Sequence, residues 1–171
     1  GHRKIAFIGG PRVSLDSQHR LAGLREGLGE MGIRLPESHV VFAARYHSDE
    51  GRAHALRWLG LGSQAPTAVV LGNDTMAIGF MSTLQAHGVV IPDQVSVVGF
   101  DDGPAASWVW PRLTTARQEA RTLGLLACRS LVRQLENSDL EPHSVTELPM
   151  PLIIRESTGP ASPTRRRRRS R

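Results

Sequence analysis

Ala68-Val69-Val70-Leu71-Gly72-Asn73-Asp74 and, further on, Val95-Ser96-Val97-Val98-Gly99-Phe100-Asp101-Asp102 are the stretches whose reading decides the fold. Each is a short run rich in β-branched residues that ends at once in a polar pair, which reads as a strand running into a loop or helix cap. Between them, Met76, Ala77, Phe80, Met81 and Leu84 recur at helical spacing. Asn73 or Asp74 supplies the N-cap and Gly88 the stop. A strand-helix-strand unit of this kind forces its two strands to pair in parallel. In an open parallel sheet, ligands lie beyond the carboxyl ends of the strands, which is where the amide and the acids of both stretches fall.

The same period extends in both directions. Residues 5–8 form a short apolar strand stopped by Gly9-Gly10-Pro11. Ser14, Asp16 or Ser17 then caps a helix with Leu21, Leu24, Leu28 and Met31 as its apolar positions and Gly32 as its end. Residues 39–44 read as the second strand, with Tyr46 just past it. Ser48-Asp49-Glu50 opens a second helix, favourably for its dipole, and Ala55, Leu56, Trp58 and Leu59 are its expected packing face. The first hundred residues therefore read β-α-β-α-β-α-β. That pattern predicts a doubly wound parallel sheet with helices on both faces and right-handed crossovers, a three-layer α/β/α fold.

Beyond Asp102 the pattern weakens. Residues 103–111 read as a loop carrying Trp108 and Trp110, either binding aromatics or, more commonly, hydrophobic lids or subunit contacts. A strand is expected over 113–117 and a long amphipathic helix over 122–135, with Leu123, Leu126, Ala127, Leu131 and Leu135 on or near one face. Strands are expected over 145–148 and 152–155, separated by Pro149 and Pro151.

Composition narrows the function classes. The net charge is +5, yet six of the 21 basic residues sit in the last seven positions, which leaves the body with one net negative charge. The basicity belongs to the tail. Residues 159–171 are mostly Pro, Ser, Thr and Arg and have almost nothing to bury, so a disordered segment is expected there. Its arginine run is either solvated or a salt-sensitive contact for nucleic-acid phosphates. No apolar run approaches ~18 residues, so no membrane partner is expected. Gly1-His2-Arg3-Lys4 leads into a strand without a signal-peptide pattern. The single cysteine, Cys128, cannot form an internal disulfide and is expected to be a buried small hydrophobe in a cytoplasmic protein.

Catalysis finds no support among the motifs. The seven histidines lack metal-ligand spacing and one cysteine cannot build a zinc site, so no metal and no cofactor are expected. There is no nucleophile elbow and no P-loop. Gly27-Leu28-Gly29-Glu30-Met31-Gly32 matches the dinucleotide fingerprint in letters alone. That fingerprint must follow a strand and open a helix, whereas these glycines close one.

Polar groups suited to binding follow all four leading strands. Arg20, one turn into the first helix, can reach over the strand ends with a planar donor fork, although an arginine there also serves as a surface residue. Tyr46 offers an apolar face and a hydroxyl, fit for stacking on a sugar ring or base, or for partly exposed packing. Asn73 donates and accepts at once, as sugar hydroxyls require, and also suits a helix cap. An ionised Asp101 accepts two hydroxyl protons, while Asp102 caps the following turn.

Three phrases in order, Gly72-Asn73-Asp74-Thr75-Met76-Ala77-Ile78-Gly79, Val97-Val98-Gly99-Phe100-Asp101-Asp102 and Pro111-Arg112-Leu113-Thr114-Thr115-Ala116-Arg117-Gln118, carry a family resemblance. With Gly1-His2-Arg3-Lys4-Ile5 ahead and Leu152-Ile153-Ile154-Arg155-Glu156-Ser157-Thr158 behind, the chain resembles the effector-binding domain of the lactose/galactose repressor family. The resemblance implies a bacterial transcription regulator in which an effector, a sugar or sugar-like molecule, binds between two lobes. It implies that positions matching Arg20, Tyr46, Asn73 and Asp101 meet the effector. Asp16 and Ser14 fall where the family varies its contacts, and Gln118 falls at a crossover near the ligand. Residues 1–117 correspond to the second lobe and 118–158 to the crossover helix and returning strands, ahead of the tail at 159–171. The first lobe and the helix-turn-helix that reads DNA are not matched, so DNA contact is expected only through a module absent here. Without the first lobe, the apolar face of the 122–135 helix lacks its usual sheet, and an exposed stripe favours a homo-oligomer, a dimer above all, or a rearranged crossover. A sugar-binding protein of a transport system is the alternative reading.

Overall fold

The computed structural model describes residues 1–136 and 147–161. Its leading half follows the expected alternation: β1 (Ile5–Gly9), α1 (Leu15–Glu30), β2 (Val40–Phe42), α2 (Ser48–Gly60), β3 (Ala68–Leu71), α3 (Asp74–Ala86) and β4 (Ser96–Asp101). Then come a short α4 (Ala105–Trp108), β5 (Thr114–Arg117), α5 (Ala120–Glu136) and β6 (Leu152–Ile153). The strands lie in the order β2-β1-β3-β4-β5-β6. All neighbours pair in parallel except β5 and β6, which are antiparallel. The connection out of β1 runs one way, to β2, and the connection out of β3 runs the other, to β4, so the switch point lies between β1 and β3.

Side-chain alternation explains why helices cover both faces. Ala6 and Ile8 of β1, with Val69, Leu71 and Val97, pack against Ala55 of α2 and Met76, Ala77, Phe80, Met81 and Leu84 of α3. Ile5 and Phe7 point the other way, onto Leu21 and Leu28 of α1 and Leu35. Burial on the first face is nearly complete, and each large side chain fully removed from water there contributes about 1.5–3 kcal/mol. All five apolar positions expected of α3 are buried, Asn73 caps the helix with its side chain, and Gly88 follows its end at φ +76°.

Several expectations are corrected. Of the face expected on α2, Ala55 is buried and Trp58 and Leu59 pack against the core, but Leu56 is exposed, and Gly51 and His54 are buried in addition. Glycines let the two helices touch: a Cβ at Gly51 would overlap the Met76 carbonyl oxygen, and one at Gly79 the Ser48 carbonyl oxygen. Met31, just past the end of α1, is exposed. Ser14 takes the N-cap position of α1 without a side-chain cap bond. The second strand is shorter than expected: a 3₁₀ turn at Glu37–His39 takes its first residue, and its pairing with β1 ends at Phe42. Trp108 lies in the short α4 and, like Trp110, is exposed.

The end of the chain departs further. Of the strand expected over 145–148, residues 145 and 146 lie outside the described residues, and Glu147 and Leu148 have no regular structure. The last strand stops at Ile153, and the Arg155 amide beyond it donates to the Thr114 hydroxyl instead of a backbone carbonyl. Gly159 is held in place: its amide donates to Ser96 Oγ and its carbonyl accepts from Ser96 Oγ and lies 3.1 Å from His2 Nε2. The arginine run lies outside the described residues. Cys128 is exposed rather than buried, for α5 buries none of its residues. Leu123, Leu125, Leu131, Val132 and Leu135 are all exposed. Among the described residues no helix is long and apolar enough to cross a membrane.

Candidate functional site

Parallel pairing brings the carboxyl ends of β1, β2, β3 and β4 to one rim, and the polar residues that follow each strand converge there. Arg20 reaches this rim from α1. Its guanidinium lies 3.7 Å from the Phe100 ring centroid, a close stack, and 5.7 Å from that of Tyr46. One of its nitrogens donates to the Gly72 carbonyl, the residue just before Asn73. Three strands thus meet at a single guanidinium whose direction is fixed before any ligand arrives.

Tyr46 is held as firmly. Its ring lies so close over Gly10 and Gly72 that a Cβ at Gly10 would enter the ring. The hydroxyl pairs with Ser17 at 2.6 Å and with Ser14 at 3.3 Å. Those bonds engage the phenol oxygen, and the residue stays partly exposed. Asn73 uses its carbonyl oxygen to accept from the Met76 amide at 2.9 Å, and the amide nitrogen is what remains for recognition.

Asp101 ends β4 at φ 124°, and Asp102 follows at φ 57°, two successive non-glycine residues in the left-handed half of conformational space. Burial pushes the Asp101 carboxyl up to about 6; Arg20 pulls it down, and Asp74 and Asp16 add to the rise. Asp16 is exposed on the first turn of α1 and within electrostatic reach of Asp101. The Gln118 amide donates to the Asp101 carbonyl at 3.1 Å, which places Gln118 beside Asp101. All seven sequence candidates, Ser14, Asp16, Arg20, Tyr46, Asn73, Asp101 and Gln118, are therefore linked around one rim.

Asp102 is not a turn cap. Its carboxylate accepts from Arg117 Nε at 2.7 Å and Arg155 Nη2 at 2.6 Å. Burial opposes ionisation, but those two donors outweigh it and hold the carboxyl below the usual range. Sequence reading missed Phe100, Ser17 and Asp74. Phe100 read as an ordinary strand member, and Ser17 and Asp74 read as caps. Asp74 is instead buried, accepting from the Thr115 hydroxyl at 2.5 Å and the Gly103 amide at 2.9 Å. Burial raises its carboxyl above the ordinary value, against those two bonds.

A parallel sheet whose strand ends gather an arginine, an aromatic and a carboxylate at its switch point is a ligand-binding lobe in form, and comparison with known proteins agrees. The sequence matches the periplasmic binding protein-like domain over residues 1–158. It is 33% identical over 157 residues to the HTH-type transcriptional repressor PurR of Vibrio parahaemolyticus, a match covering 92% of this chain and 46% of that protein. Its fold superposes on the transcriptional regulator CelR in complex with cellobiose with a TM-score of 0.83 at 32% identity, covering 92% of this chain and 47% of that one. It superposes on the lac repressor dimer bound to operator and the anti-inducer ONPF with a TM-score of 0.80 at 30% identity, covering 92% and 53%. The chain belongs to the periplasmic binding protein-like domain family and, within it, to the lactose/galactose-repressor type of effector-binding domain. It spans about half the length of the curated relatives it matches.

Proposed function

We propose that this chain is the effector-binding lobe of a DNA-binding transcription regulator, that it recognises a small hydroxyl-rich molecule, a sugar or sugar derivative, and that it works as a homodimer by binding rather than catalysis. The observation that carries the reading is the convergence of Arg20, Tyr46, Asn73 and Asp101 on one rim. Arg20 supplies donors, Asp101 supplies an acceptor for hydroxyl protons, Asn73 adds an amide, and Tyr46 a flat apolar surface. Ser14, Asp16 and Gln118 border this set and set its specificity. The relative captured with cellobiose and the dimeric relative on its operator support the ligand class and the assembly. All three relatives are regulators, which favours this reading over a transport protein.

In this reading the effector binds one arrangement of the domain better than another, and that difference, typically ~1–3 kcal/mol, is what reaches the DNA-reading module. The test is a thermal-shift panel of monosaccharides, β-linked disaccharides and purine bases on the full product of the gene encoding this chain. A ligand at 100 times its dissociation constant adds ~2.7 kcal/mol, which a melt resolves. One sugar class should raise the melting temperature, and Arg20→Ala and Asp101→Ala should each erase the rise. Variants that keep the full shift would remove these residues from the site, and a purine as sole binder would overturn the ligand class.

A further inference from the structure

A carboxylate recognises a ligand only if it points in a fixed direction, and Asp101 sits on a backbone that would not hold itself. Asp101 and Asp102 both have positive φ, a conformation that persists in non-glycine residues only where the surroundings enforce it. The enforcing groups come from β5 and from the first residue of α3. Thr115, buried in β5, accepts from the Asp102 amide at 3.4 Å and donates to Asp74 Oδ1 at 2.5 Å. The other oxygen of Asp74 accepts from the Gly103 amide at 2.9 Å. Both amides that follow Asp101 are thereby tied, one directly and one through a hydroxyl, to a single buried carboxylate at the start of α3. The Asp101 carbonyl is taken by the Gln118 amide, and the Asp102 carboxylate by Arg117 and Arg155. What the turn leaves unclaimed is the Asp101 carboxylate.

We propose that Thr115 and Asp74 are positioning residues that aim the Asp101 carboxylate at the ligand by locking the two backbone amides after it. The inference rests on the reading of Asp101 as a ligand contact, and it adds a mechanical role for two residues that touch no ligand. Because Thr115 lies on β5, which runs into Gln118 and the crossover, the lock also ties the aim of Asp101 to the strand that leaves the lobe.

The test reads Asp101 directly in the full chain, by titrating ¹³C-labelled aspartate carboxyls. Arg20, Asp74 and Asp16 are the charged groups that face it; Thr115→Val also removes a bond that favours ionised Asp74, so the Asp74 carboxyl is followed in the same titration. Wild type should titrate near 6. Thr115→Val keeps the shape and removes the hydroxyl, so the turn should relax, the carboxylate should gain water, and its midpoint should fall toward the ordinary 3.8. Thr115→Ser should restore the wild-type midpoint. Thr83→Val is the control: it removes a hydroxyl bond to the Gly79 carbonyl within α3, away from the turn, and should leave Asp101 unmoved. A wild-type midpoint in Thr115→Val, or an equal fall in Thr83→Val, would overturn the inference. Should Thr115→Val not fold, Thr115→Ala takes its place with the same readout. The titration uses no ligand, whereas the site reading fails separately if Asp101→Ala keeps full effector binding.

Discussion

Burial lifts the Asp101 carboxyl to about 6 in the face of Arg20, so at neutral pH the folded chain carries that charge at a cost. The unfolded chain releases this proton near 3.8, so between 3.8 and 6 the folded state binds more protons and stability falls as pH rises. Discounted for solvent screening, the cost above pH 6 is about 1 kcal/mol. Asp101→Asn should therefore raise the melting temperature at pH 7.5 by about 2–4 °C, the shift about 1 kcal/mol produces in a chain of this size. The gain should shrink as pH falls through 6 toward 3.8, and a gain independent of pH would contradict this account. Arg20 permits a second prediction. Its fork stacks on Phe100 while bonding to Gly72, which a lysine cannot reproduce, so Arg20→Lys should weaken effector binding at least about tenfold, or ~1.4 kcal/mol, by calorimetry. Wild-type affinity in that variant would show that charge alone suffices. Arg20, Asn73 and Asp101 were legible in the sequence because each is a polar residue placed where a strand's apolar run ends or a helix begins. Phe100 and Thr115 were not, since a strand residue gives no sign that it serves as a platform or a lock.

At the level of elements, the contact between α2 and α3 shows what hydrophobic pattern cannot report. The face of α3 was readable because Met76, Ala77, Phe80, Met81 and Leu84 mark it with large side chains at helical spacing. The face of α2 was only partly readable: Ala55 marked it, but its closest approach is made by Gly51, which carries no apolar signal, with the polar His54 beside it. Desolvation of His54 lowers its imidazole below the ordinary value, so a residue that reads as polar surface behaves as a neutral member of the helix interface. Close packing of this sort tolerates no added methyl. Gly51→Ala and Gly79→Ala each gain up to ~1 kcal/mol in helix propensity but push a Cβ into backbone carbonyl oxygens, for which overpacking costs about 1–3 kcal/mol or more. Each variant should lower the urea midpoint. An unchanged or higher midpoint would mean that the two helices separate at little cost.

Across the whole molecule, stability is concentrated at one side of the sheet. α3 and its strands supply most of the fully buried side chains, whereas α5 buries none and carries Leu135 at 77% exposure. The exposed apolar stripe expected on α5 is thus present, and its amides are held by helix hydrogen bonds with no side chain of the helix buried among the described residues. Local opening should cost little there and approach the global unfolding free energy in α3. In hydrogen exchange on the 171-residue chain, α5 amides should exchange at least about 100-fold faster than those of α3, a gap of ~2.7 kcal/mol. Paired substitutions sharpen the contrast. Leu131→Glu with Leu135→Glu should leave the unfolding free energy within about 0.5 kcal/mol, as surface changes do, while Leu84→Ala should cost about 2–5 kcal/mol. If the double glutamate variant also loses several kcal/mol, then α5 is covered in solution, and sedimentation of that variant beside the parent chain would reveal whether the cover is a second copy.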